Sequence, residues 1–150
     1  MTKTLECVGD FDGSLLPGKS TTVVESEVDL RWLLGILNSR LVSFYYLSVF
    51  GGDRLQGGYL RIGPPQVQTL PVPTFNPEGA TDVALVGHVI RLVDLHDRRL
   101  AAPTVHEAQV LARQIRAVES RIDECVYQLY ELTEAERNVV DASLEPRPVT

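Results

Sequence analysis

The clearest hydrophobic pattern in the chain runs from residue 105 to residue 132. Apolar side chains recur there three and four residues apart, at Ala108, Leu111, Ile115, Val118, Ile122, Cys125, Leu129 and Leu132. This heptad spacing predicts one long helix whose apolar seam pairs with a second helix. We expect the pairing to use Leu111, Ile115, Val118, Ile122 and Leu129. The partner is either residues 82–100, folded back as an antiparallel hairpin, or a helix from another chain.

The preceding stretch also has a helical period. Its broad apolar face consists of Val83, Val86, Val89, Ile90, Val93 and Leu100. Pro103 interrupts the pattern, because proline breaks a helix interior. Thr104 and Thr133 are each followed three residues later by glutamate, which is the sequence of a capping box at a helix start. We therefore predict helices over most of residues 81–141.

The first half of the chain has a mixed pattern. Leucines at helical spacing after Asp29 predict a helix, and Ser39 predicts the start of a second one that ends near Gly51. Strands are predicted at 5–8, 21–24 and 59–62 from β-branched residues and alternation. The predicted fold class is α+β, with a small mixed α/β half at residues 1–78. An α-helical half at residues 79–150 follows it, as a helical hairpin or coiled coil.

Charge is distributed unevenly. The chain of 150 residues, one domain by length, has a formal net charge of −6, which is unusual for a free-standing nucleic-acid binder. Residues 39–70 are an exception, with three arginines, Arg40, Arg54 and Arg61, against one aspartate. The start of the chain lacks the apolar core of a signal peptide, and no apolar run is long enough for a membrane helix. We therefore expect a cytoplasmic protein that does not enter a membrane.

The sequence contains no motif that predicts catalysis or a cofactor. Phosphate-binding loops, a nucleophile elbow and a zinc-protease signature are all missing, and the two cysteines lack metal-site spacing. His88, His96 and His106 are predicted to be surface or capping residues. The helical carboxylates Asp94, Asp97, Glu119, Asp123 and Glu124 alternate with arginines, which is typical of a solvated helix face. We expect no enzyme activity, no metal and no cofactor.

Two segments resemble a known family. Residues 33–45 read LLGILNSRLVSFY, and YLRI at 59–62 and PQVQTLPVP at 65–73 follow them. Residues 122–136 read IDECVYQLYELTEAE. Both segments are similar to the TaqI-like specificity domain of type IIG restriction–modification enzymes and adenine-N6 DNA methyltransferases. Glu131 stands where that family usually has glycine, and Cys125 where leucine is common. The methyltransferase Asn-Pro-Pro-Tyr motif of the complete enzymes is missing, so the chain resembles a detached C-terminal piece.

The resemblance implies a partial target-recognition domain that reads double-stranded DNA, at residues 1–78, and a helical spacer or docking region at residues 79–150. Arginine and glutamine are the side chains that pair with guanine and adenine edges. The residues expected to contact DNA are Arg40, Arg54, Gln56, Tyr59, Arg61 and Gln66. The implied partner is a methyltransferase or endonuclease domain or subunit.

A second hypothesis also fits the sequence. The helices then form a protein-interaction or dimerisation module, which docks onto a methyltransferase or endonuclease or forms a homodimer and makes no DNA contact. The low net basicity of the chain favours this alternative.

Overall fold

The computed structural model describes residues 4–19, 21–52 and 62–144. Six helices occupy these ranges: α1 (Leu30–Leu37), α2 (Arg40–Phe50), α3 (Pro64–Gln68), α4 (Ala80–Leu100), α5 (Val105–Leu129) and α6 (Glu134–Ser143). No strand occurs within the described ranges, so the predicted α+β class is wrong. The described part of the chain is all helical.

The segment at residues 5–8 shows why the first predicted strand does not form. Leu5 is buried in the core, but the neighbouring backbone pairs with a side chain rather than a strand. The Cys7 N–H donates to Asn38 Oδ1 at 2.8 Å, and Asn38 Nδ2 donates to the Cys7 carbonyl at 2.9 Å. Residues 21–24 are also irregular, and three of the four predicted 59–62 positions lie outside the described residues.

The starts and ends of the helices follow the predicted capping residues. Asp29 accepts from the Arg31 N–H at 2.8 Å, and Ser39 accepts from the Val42 N–H at 3.2 Å. Thr104 caps α5 in the same way, but of the two predicted capping boxes only that of Thr133 and Glu136 at α6 has both bonds among the described residues. The predicted helix starts are confirmed, and each cap depends on groups only two or three residues apart.

The long helices α4 and α5 pack against each other within this chain as an antiparallel hairpin, connected by residues 101–104. On α5, Leu111, Ile115 and Ile122 are buried, and Val118 and Leu129 are partly buried. Toward the far end of the hairpin, Leu95 completes a small separate cluster with Leu111 and Ile115. At about 1.5 Å of rise per residue, the 21 residues of α4 make the hairpin about 30 Å long, and we call it the arm.

The main core lies where the other helices meet the base of this arm. It combines residues from both halves of the chain: Leu5, Trp32, Leu33, Ile36, Leu37, Val42, Tyr46, Leu70, Leu85, Val89, Ile122, Cys125 and Val126. α1 packs on α4, and α2 contacts α5 and α6. Within the described ranges no single helix is long and apolar enough to span a membrane. α1 and α2 are long and apolar enough only when taken together, and they are bent by 56° relative to each other.

Candidate nucleic-acid interface

Only two of the six predicted DNA-contact residues, Arg40 and Gln66, belong to the described part of the chain. The other four, Arg54, Gln56, Tyr59 and Arg61, lie outside the described residues. On either side of them, Phe50 in α2 and Ile62 before α3 pack partly buried against the main core. The residues that flank this segment therefore belong to the packed body.

Arg40 connects three helices. Its backbone N–H donates to Asp123 Oδ1 at 2.8 Å, and its Nε donates to Asp141 Oδ1 at 3.0 Å. Its Nη2 donates to the carbonyls of Asp141 at 2.9 Å and Leu144 at 3.1 Å. These carbonyls lie at the end of α6, where the helix leaves carbonyl groups without partners and favours a cation. The guanidinium, with its side chain 17% exposed, thus has a role inside the protein, and DNA contact by Arg40 stays a prediction.

Gln66 occupies the middle of α3 and is half-buried. Pro64 and Pro65 begin this helix, because proline fits the first helical turn. The Gln66 N–H donates to the Gly63 carbonyl at 3.2 Å. Its position on a short helix directly after residues 53–61 is compatible with the predicted base contact, which stays a prediction.

Asp123 corrects the prediction that the helical carboxylates all lie on a solvated face. It is only 6% exposed and accepts from the Arg40 N–H in the first turn of α2. A carboxylate at this end of a helix stabilises the unpaired N–H groups. By contrast, Asp94 is exposed and accepts from Arg91 at 3.1 Å and lies 3.7 Å from Arg98, as the spacing predicts.

Two tyrosines of the second motif bond to other elements. The Tyr127 hydroxyl donates to Asp141 Oδ1 at 2.7 Å, and burial together with this bond raises the pKa of Tyr127. The Tyr130 hydroxyl donates to the Pro71 carbonyl at 2.5 Å, and burial raises the pKa of Tyr130 to about 12. Both phenols are therefore neutral hydrogen-bond donors at physiological pH.

A shallow groove of about 140 Å³ lies beside Tyr130, lined by Leu41, Val42, Tyr45, Pro71, Tyr130 and Leu132. Its walls are almost entirely apolar. The described residues contain no group of three or more His, Cys, Asp or Glu side chains able to hold a metal ion. The groove therefore offers an apolar contact surface rather than a set of reacting groups.

An exposed face of α5 carries three arginines, Arg113, Arg116 and Arg121, and we name it the α5 arginine face. At 100° per residue these three positions fall within an arc of roughly 140° and span about 12 Å of helix. The other exposed positions in this stretch are Gln109, Val110, Gln114, Ala117 and Ser120. Glu107 and Glu119 fall on the flanks of this arc, whereas Glu124 lies within it, three residues after Arg121, and accepts from Arg137 at 2.8 Å. Sequence reasoning missed the face because it grouped Arg116 and Arg121 with neighbouring carboxylates, although a helical projection places Glu119 beside the arc rather than in it.

An apolar stripe on α4 faces outward. Val83 is 55% exposed, Ile90 52%, Val93 37% and Leu100 87%, and we name these four residues the α4 stripe. The predicted broad apolar face of this helix is thus divided. Only its Val89 side is buried against α1 and α5, and the α4 stripe has no covering element among the described residues.

Comparison with known proteins gives no relative: no family model, no curated protein and no solved structure matches the chain. The resemblance to type IIG specificity domains therefore rests on the sequence motifs and stays a prediction.

Proposed function

We propose that this chain is the DNA target-recognition module of a restriction–modification system and that it carries no catalytic site of its own. The observation that supports the proposal most directly is the contact between the two motif segments. They are separated by most of α4 and α5 in the sequence, yet Arg40 bonds to Asp123 and Tyr130 bonds to Pro71. A specificity domain that folds apart from the rest of an enzyme needs contacts of this kind between its own motif segments.

On this proposal, the base contacts come from Arg54, Gln56, Tyr59, Arg61 and Gln66. Arginine reads guanine and glutamine reads adenine in the major groove. The flanking residues Phe50 and Ile62 pack against the main core. The helical arm docks onto a methyltransferase or endonuclease.

Selection from a random duplex pool tests this function. The full chain is incubated with the pool, and the retained duplexes are sequenced. We expect enrichment of a short sequence, and loss of that enrichment in R54Q/R61Q, since each bidentate arginine–guanine pair contributes about 1–3 kcal/mol of discrimination. The matched control is R91Q/R98Q, whose arginines pair with Asp94 on the arm. A retained pool that stays random contradicts target recognition by this chain.

The exposed α4 stripe favours a second candidate, a protein-interaction module without DNA contact. Four exposed apolar side chains at helical spacing are the pattern by which one helix packs against another. This candidate predicts a stable complex with the methyltransferase part of a type IIG enzyme in sedimentation velocity. It also predicts that I90E/L100E abolishes the complex and that no duplex binding accompanies it.

A further inference from the structure

We infer that the α5 arginine face binds the phosphate backbone of duplex DNA and so holds the arm along the DNA next to the recognised sequence. This inference rests on the proposed function for the identity of the partner, and it adds a second contact surface outside residues 53–61. The face is defined by Arg113, Arg116 and Arg121 on the exposed side of α5.

The first argument is the difference between the two helices of the arm. On α4, two of the three arginines, Arg91 and Arg98, lie within ion-pair distance of Asp94, which is the alternation expected of a solvated surface. On α5, none of the three arginines of the face has an ion pair within the described ranges. Three like charges on one side of a helix repel each other, so a face kept only for solubility has no reason to collect them.

The second argument is the chemistry of the neighbouring positions. Gln109 and Gln114 share the exposed side of α5 with the arginines and are neutral hydrogen-bonding groups, while the Ser120 hydroxyl donates to the Arg116 carbonyl within the helix. Arginine and glutamine are side chains that proteins use to bond phosphate oxygens. No carboxylate lies between Ala108 and Val118 to repel a phosphate, and Glu124, three residues beyond Arg121 on the same side, is already paired with Arg137.

The third argument is geometric. The arginines span about 12 Å of helix, and duplex DNA carries about one negative charge per 1.7 Å of its axis. Phosphates are therefore spaced closely enough for each guanidinium to reach one when the helix lies along the backbone. The formal net charge of the chain is −6, so binding to DNA needs a local positive face of this kind.

Salt-dependent affinity for random duplex DNA tests the inference. Fluorescence anisotropy is measured with the full chain and with R113Q/R116Q/R121Q at several salt concentrations. Glutamine is nearly as good a helix former as arginine, so the variant is expected to fold, which circular dichroism checks. We expect weaker binding and a plot of log K against log salt whose slope is smaller by about 2.7, at about 0.9 for each lost phosphate contact.

The control is R31Q/R91Q/R98Q, which changes the net charge equally but removes arginines that face aspartates. It is expected to keep most of the wild-type slope. Equal losses in both variants overturn the inference, because only net charge would then matter. A face variant with wild-type affinity and slope also overturns it, as does a wild-type protein that binds polyglutamate but not duplex DNA.

The two proposals fail in different ways. If R113Q/R116Q/R121Q binds like the wild type while selection still enriches one sequence, the arginine face is wrong and target recognition stands. If the face variant loses its salt slope while selection from the pool stays random, the backbone contact stands and target recognition by residues 53–61 is wrong.

Discussion

At the residue scale, Glu131 carries the main conformational strain. It has φ of +54° and is the one non-glycine residue with positive φ in the described part of the chain. It ends α5 in a Schellman motif, in which the Glu131 N–H donates to the Gln128 carbonyl and the Leu132 N–H to the Tyr127 carbonyl, both at 3.0 Å. Glycine is favoured at this position, which is also where the resembling family has glycine.

Glu131→Gly is expected to raise the free energy of unfolding by about 0.5–1 kcal/mol, since glycine removes the left-handed strain but adds unfolded-state entropy. Urea denaturation measures the change. The control is Gln114→Gly on an exposed part of α5 with ordinary helical backbone, which is expected to destabilise by about 1 kcal/mol. If both variants lose stability equally, the strain at Glu131 is not real.

Cys7 provides a second test at this scale. Burial, with a smaller effect from Glu6, raises the pKa of the Cys7 thiol from 9.0 to about 11. Only the thiolate reacts, so alkylation at pH 8 is expected to be about 100-fold slower than for a thiol of pKa 9. Because the native pKa is raised, Cys7 contributes stability that is lost as the pH rises from about 9 to about 11. Iodoacetamide labelling of Cys125→Ser against pH measures the midpoint, and a midpoint near 9 contradicts the burial.

At the scale of elements, the contact between α1 and α4 depends on Gly35. A Cβ atom at this position would lie 2.8 Å from Leu85 Cδ1 and 3.0 Å from Val89 Cγ2, closer than real contacts allow. Leu85 and Val89 are 0% and 2% exposed, so neither has free space to move into. The absence of a side chain at Gly35 therefore determines how closely the two helices approach.

Gly35→Ala is expected to be less stable than Gly87→Ala by about 1–3 kcal/mol, the usual effect of overpacking a core. Both substitutions replace glycine within a helix, so the intrinsic gain of about 1 kcal/mol from alanine cancels in the comparison. Nothing lies within 4 Å of a Cβ at Gly87, which makes it the matched control. Thermal denaturation followed by circular dichroism at 222 nm measures the stability of both variants. Equal stabilities would mean that α1 and α4 do not pack this closely.

At the scale of the whole molecule, both halves of the chain contribute to one core. Trp32 and Ile36 on α1 share it with Leu85 on α4 and Val126 on α5. The Arg40–Asp123 bond and the Tyr130–Pro71 bond connect the same halves through polar groups. The predicted boundary between residues 78 and 79 stays a prediction about which part of the chain contacts DNA. We expect the two sides of this boundary to unfold together, because they share one core.

Asp123→Ala is expected to lower the global free energy of unfolding by about 1–3 kcal/mol, because it removes a buried carboxylate that accepts from the partly buried Arg40 N–H. The control is Asp94→Ala, which removes two exposed ion pairs and is expected to change stability by less than about 1 kcal/mol. Far-ultraviolet dichroism and Trp32 fluorescence are expected to give the same transition for the Asp123 variant. Separate transitions would mean that the halves fold independently.

The sequence by itself determined the helices and their ends. The period of α4 and α5 and the caps at Asp29, Ser39 and Thr133 involve groups within one or two turns of each other, so the local sequence contains all the partners. The motif segments that carry the family resemblance are likewise readable without coordinates, and so are Arg54 and Arg61, which are proposed to contact bases.

Only the tertiary structure decided which partners meet across the fold. The β-branched residues at 21–24 form no strand, because a strand needs a neighbouring strand that the local sequence cannot supply. Asp123 and Asp94 look alike in sequence, but only Asp123 is buried. The division of α4 into a buried side and an exposed stripe, and the position of the arginines of α5 on its open side, follow from packing between distant segments.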